Sequence, residues 1–195
     1  MTDGDRKGSI IDWRNLPPSF PTHAHDAQFW ENLGRTVATF GFLEEVLGKA
    51  IFAFTATKQY SEEAVAEALE QWLPKLEQSL HQTLNPLIDV YVKSVKDHQG
   101  STLQNLDELE QNLRDAAKMR NVLCHGSWRM PNKDGGSVPF FVNKQMMVFD
   151  TAVDVAFLQQ TQAHVAELAC AVINSVTHMG WQFPGGAGTG TPIWT

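Results

Sequence analysis

The stretch DAQFWENLGRTVATFGFLEEVLGKAIFAFTAT, residues 26–57, decides the fold class. Phe29, Leu33, Val37, Phe40, Leu47, Ile51 and Phe54 recur along it at spacings of three, four and seven. On a helix of 3.6 residues per turn those positions form one apolar stripe. A long first helix is therefore predicted from Asp26 to about Thr57, and its stripe needs other elements to bury it.

Moving outward, Ser61 with Glu63 nearby opens a second predicted helix to about Gln71. Pro74 suits the first turn of a third, ending near His98 and kinked at Pro86. A fourth runs from about Thr102 to Cys124 or His125, with Leu106, Leu109, Leu113 and Ala117 on one side and Gly126 placed to end it. The period then changes. Ser127 to Pro131, Ser137 to Val142 and Gln145 to Phe149 read as short strands around the turn Asn132–Gly136. Asp150 or Thr151 is placed to cap a last helix carrying Phe157, Leu158, Val165, Leu168, Val172 and Val176 to about Met179. The expected fold is all-α: a bundle of four to five helices with a long first helix and a small β-hairpin insertion, about 127–149, before the last helix.

The flanks differ in composition. Residues 1–25 carry Pro17, Pro18 and Pro21 among polar residues and read as an extended arm. Residues 26–180 form the helical domain, and 181–195 a flexible glycine-rich tail with no Lys-Ser/Thr pair to make it a phosphate loop. With 22 acidic and 15 basic residues the chain carries a formal charge of −7, which opposes non-specific binding to nucleic acid. Two cysteines, Cys124 and Cys170, make neither a disulfide framework nor a zinc site, so a cytoplasmic protein is expected. No segment offers the roughly 18 uncharged apolar residues of a membrane span, and no apolar stretch follows the charges of residues 1–9, so neither export nor membrane spanning is expected. No metal or cofactor is expected.

The fourth helix carries the chemistry. Plotted at about 100° per residue, Arg120 and Cys124 fall near the middle of the stripe made by Leu106, Leu113 and Ala117. A guanidinium there needs an anion, since breaking a buried ion pair costs on the order of several kcal/mol. Glu44, on the edge of the first helix's stripe, is the candidate within the chain; a ligand phosphate is the alternative. Cys124 in that position reads as a small buried thiol rather than a nucleophile. Arg114, Lys118, Asn121 and His125, spaced 4, 3 and 4, gather on a second, polar face. Five cations against the single acid Asp115 between Arg114 and Lys133 give a local charge of +4, suited to an anion.

The run Arg120-Asn121-Val122-Leu123-Cys124-His125, followed by Gly126, resembles the R-polar-x3-H signature of the HEPN superfamily. The motif covers six residues; the likeness in architecture, a motif at the end of a late helix in a bundle, extends over about 26–179. The resemblance implies a metal-independent endoribonuclease that leaves a 2′,3′-cyclic phosphate, with Arg120 and His125 catalytic. Attack by a ribose 2′-OH needs a group that moves a proton near neutral pH, and a cation must stabilise the crowded phosphorane. Histidine and a planar guanidinium suit those two tasks. Asn121 and Glu44 would support them, and Arg114, Lys118, Trp128 and Arg129 would bind RNA phosphate or stack a base. The same resemblance implies a homodimer with paired motifs, RNA as substrate, a toxin or defence role and a protein antitoxin or regulator. The competing expectation is a non-catalytic HEPN-like module for protein interaction or for a nucleotide or other anion.

Local readings stand beside these. Arginine and histidine at a helix C-terminus often only compensate the helix dipole. Arg120 and His125 are five residues apart, so on a regular helix they point about 140° apart and rise about 7.5 Å; they meet only if the helix distorts, the arginine curls round, or two chains combine. Trp128 either stacks a base or anchors the insertion on the bundle. In His23-Ala-His25-Asp26, Asp26 reads as a helix cap rather than a metal ligand. Gly34, Gly41 and Gly48 recur every seven residues, marking a smooth strip for close approach within the chain or across a dimer.

Overall fold

The computed structural model describes residues 9–56, 84–98 and 103–185. It is an all-α helical bundle in which α1 (Ala27–Ala56), α2 (Leu84–Lys96), α3 (Leu106–His125) and α4 (Val155–His178) surround one apolar core. The Asp26 carboxylate accepts from the Phe29 N–H at 2.8 Å, capping α1 as its sequence predicts. From there the predicted stripe turns inward: Phe29, Leu33, Phe40, Leu47, Ile51 and Phe54 are buried and Val37 is half-buried. Because α1 packs against each of the other three helices, its stripe sets their arrangement.

Two hydroxyl contacts fix the bundle. Buried Thr36 donates to Asn32 O at 2.8 Å and lies 3.1 Å from Leu158 O on α4. Tyr91 on α2 donates to Ser175 Oγ on α4 at 2.8 Å, and the Ser175 hydroxyl in turn donates to Val172 O at 2.6 Å. Burial pushes the Tyr91 phenol up to about 12, against the smaller opposing effect of the Ser175 contact. It therefore stays a donor at any ordinary pH.

Several expectations change. The expected second helix, and the expected start of the third at Pro74, lie outside the described residues. Pro86 is the third residue of α2, so the upstream side of the bend expected there lies outside them too. The last helix is capped by Asp154, whose carboxylate accepts from Phe157 N at 2.7 Å, rather than by Asp150 or Thr151. The β-hairpin insertion is not formed. Among the described residues there is no strand, only three isolated antiparallel bridges, Ser127 with Phe140, Ser137 with Val153 and Val142 with Val148. Pro131 and Pro139 have no N–H to extend a ladder, and the turn at Gly135 and Gly136 breaks the pairing again within a few residues.

The arm from Ser9 to Asp26 holds two single 3-10 turns, Trp13–Asn15 and Thr22–Ala24, and is tied to α1 where the Trp30 indole donates to Thr22 O at 2.8 Å. Past α4, Phe183 is buried against the core.

Candidate functional site

The last turns of α3 hold the motif. α3 stays α-helical through His125, and Gly126 ends it in an extended conformation (φ −69°, ψ 137°), its N–H bonded to Val122 O. A Cβ at Gly126 would lie 2.6 Å from Val122 O and 2.8 Å from Pro139 Cβ. Only glycine lets residues 126–140 turn back beneath the helix end, where Ser127 and Phe140 exchange backbone hydrogen bonds of 3.0 and 2.8 Å.

Arg120 reaches α1, where its guanidinium stands 3.7 Å from Glu44 Oε1, the partner expected from the sequence. The contact is an ion pair without a hydrogen bond: Glu44 Oε1 is buried and has no hydrogen-bond partner among the described residues. Burial raises the Glu44 carboxyl above its usual range, and the attraction of Arg120 offsets this only in part. Arg120 is 24% exposed, at the rim rather than in the middle of the core. Cys124, expected to be a buried thiol, is exposed. Both depart from the wheel for one reason: in its last turn α3 buries Leu123 into the core, while Val122 is buried outside that core cluster, so the covered side has rotated away from the stripe begun by Leu106 and Leu113.

His125 is exposed, and its imidazole has no hydrogen-bond, ion-pair or ring partner among the described residues. With no distortion before Gly126, the five-residue offset points its side chain about 140° away from that of Arg120, with a rise of about 7.5 Å along the helix axis between their Cα atoms. One chain does not bring the two together by helix geometry. Asn121 is half-buried between them.

The polar face of α3 is occupied by its own neighbours. Arg114 bonds Glu110 at 2.6 Å and Asp89 of α2 at 2.7 Å, and those carboxylates raise its pKa further. Lys118 bonds Asp115 at 2.7 Å. The Arg129 guanidinium lies 5.0 Å from the Phe140 ring centroid. Trp128 packs edge-on against Phe29 at 5.0 Å and Trp30 at 6.4 Å, with His25 at 6.3 Å, which is the anchoring role.

The concavities lie elsewhere. A cleft of about 420 Å³ opens between the arm, residues 131–135 and the start of α4, with Phe29 and Val155 on its apolar side and His25, Asp26, Asp134 and Asp154 as polar lining. Asp26 and Asp154 are the caps of α1 and α4, so the signal in the sequence was two capping residues whose helix starts converge only in the fold. His25 stacks on Phe29 at 4.2 Å; burial lowers its pKa, with Asp26 opposing weakly. Three carboxylates suit a cation better than a phosphate. No group of three or more His, Cys, Asp or Glu among the described residues is arranged to hold a metal, and none of their helices is long and apolar enough to cross a membrane.

Fold and site together define an all-α helical bundle with a charged rim at the end of α3. No family model, curated protein or solved structure matches the chain.

Proposed function

We propose that this chain is a helical interaction module on a HEPN-like scaffold, working through its outer helix faces rather than through a catalytic cleft. The observation that carries this reading is the neutralisation of the α3 cations: Arg114, Lys118 and Arg120 each have a carboxylate partner within the chain. A phosphate would have to displace those acids, and the cleft beside the arm is acidic.

One observation favours a second reading, the metal-independent endoribonuclease of HEPN type. His125 is exposed with no side-chain partner among the described residues, and the 3.7 Å contact of Arg120 lacks a hydrogen bond to be broken. Two chains pairing their α3 ends would place His125 of one near Arg120 of the other, with Asn121 and Glu44 supporting, RNA as substrate, and a toxin or defence role controlled by an antitoxin or regulator.

A single assay separates the two. End-labelled mixed RNA is incubated in EDTA with the wild-type chain and with His125→Ala at matched purity and helicity. The module reading expects no difference between them. Cleavage by the wild type alone, leaving cyclic phosphate ends, replaces it with the nuclease.

A further inference from the structure

None of the described helices covers the outer face of α1. Gly34, Ala38, Gly41 and Glu45 are exposed along it, and Phe42 is 48% exposed beside them. Among the described residues a Cβ at Gly34, Gly41 or Gly48 would meet nothing within 4 Å, so their packing does not account for glycine at these positions. Glycine is the poorest helix former after proline, and here it recurs every seven residues. The charges of the face supply the independent observation. Glu31 and Lys49 lie nine residues either side of Phe40, and Arg35 and Glu45 lie five either side of it. Within the chain they pair as Arg35 with Glu31 at 2.7 Å and Lys49 with Glu45 at 2.6 Å.

We propose that a second copy of this chain docks antiparallel on this face, about a two-fold axis close to Phe40 and Gly41. A two-fold perpendicular to the helix sets each flank of α1 against the same flank of its copy, in reversed direction. On the helical wheel Glu31, Arg35, Phe42 and Lys49 share one flank and the three glycines the other, with Ala38 and Glu45 between. The operation therefore brings Glu31 to the copy's Lys49 and Arg35 to its Glu45, making each intrachain pair part of a four-charge network. It sets exposed Phe42 over the copy's Ala38, large against small. On the other flank Gly34 meets Gly48 and Gly41 meets Gly41, each within one residue of the same axis, so the backbones approach closely. Parallel docking would stack Glu31 on Glu31 and Lys49 on Lys49 and is disfavoured by the same charges. The inference goes beyond the functional reading above and holds whether or not the α3 end is catalytic: mass reports the first, RNA cleavage the second.

The test is light-scattering mass across a concentration series of the full chain. The wild type is expected to move from monomer to dimer with rising concentration, less readily in high salt. Gly41→Trp adds a side chain into open space, so helicity is retained while the dimer is lost. Glu31→Lys sets lysine against the copy's Lys49 and is expected to weaken dimerisation at least tenfold. Glu31→Lys with Lys49→Glu restores it, although both changes worsen the pairs inside each helix. A wild type that is monomeric at every concentration overturns the proposal. So does a dimer that tolerates Gly41→Trp, or a double variant that dimerises no better than Glu31→Lys.

Discussion

The polar face of α3 and the aromatic corner at the start of α1 are opposite cases. The α3 face was conspicuous in the sequence, with Arg114, Lys118, Asn121 and His125 at helical spacing, yet its cations are satisfied by acids three or four residues away or one helix over. The corner was inconspicuous. His25, Phe29 and Trp30 meet Trp128 across about a hundred residues, with ring centroids 5.0 to 6.4 Å apart. Charges find local partners and end as exposed pairs worth little, whereas aromatic rings need partners the fold brings together, and their burial ties the arm and the segment after α3 to the bundle.

The largest effect should come from breaking the corner. Trp128→Ala removes a half-buried ring from three aromatic neighbours and is expected to cost about 3 kcal/mol, as for other large-to-small aromatic changes, measured by urea denaturation. A cost below about 1 kcal/mol would make Trp128 a surface residue free for a ligand. Next comes Gly126→Ala, whose methyl overlaps Val122 O and the Pro139 ring. It is expected to cost about 2 kcal/mol, in the range of overpacking, with the loss confined to the end of α3 in hydrogen exchange.

The pH dependence of the two regions has opposite sign. At the corner, burial lowers the His25 pKa, so the unfolded chain binds the proton more tightly and stability falls as pH drops below the ordinary histidine value of 6.5. At the rim of α3, the raised Glu44 pKa means the folded chain holds its proton more tightly; stability therefore falls as pH rises above the ordinary carboxyl value of 4.5. Thermal melts from pH 7.5 downward should show a loss that His25→Phe removes, and Glu44→Gln should remove a dependence of the other sign at lower pH. A His25→Phe profile identical to wild type would mean His25 is solvated.

What could be read in advance follows the same division. α1 and α4 were legible because their apolar residues repeat over seven turns or so, and the Glu44–Arg120 pair because a cation on a core stripe needs an anion. The segment after α3 was misread: alternation in short runs suggested strands, but prolines and glycines stop each pairing at a single bridge. Cys124 was misplaced because a helical wheel assumes one covered side throughout, and α3 changes its covering in the last turn. The acidic cleft was invisible because His25, Asp134 and Asp154 come from three separate segments.

The smallest expected effect on stability is the most direct test of why the α3 face is quiet. Exposed pairs such as Arg114 with Asp89 contribute about 0.5 kcal/mol, so a double-mutant cycle between Arg114→Ala and Asp89→Ala should give a coupling near that size. The consequence for binding is larger. Asp89→Asn with Glu110→Gln leaves Arg114 without its carboxylates and raises the charge of that face by two, while the amides preserve shape. If internal neutralisation keeps the face from anions, this variant should be retained on a polyanion column at low salt, and the wild type should pass through. Retention of both would mean that the Arg114 pairs open readily and that the face is available to phosphate as it stands. That result would move weight from the interaction module to the nuclease.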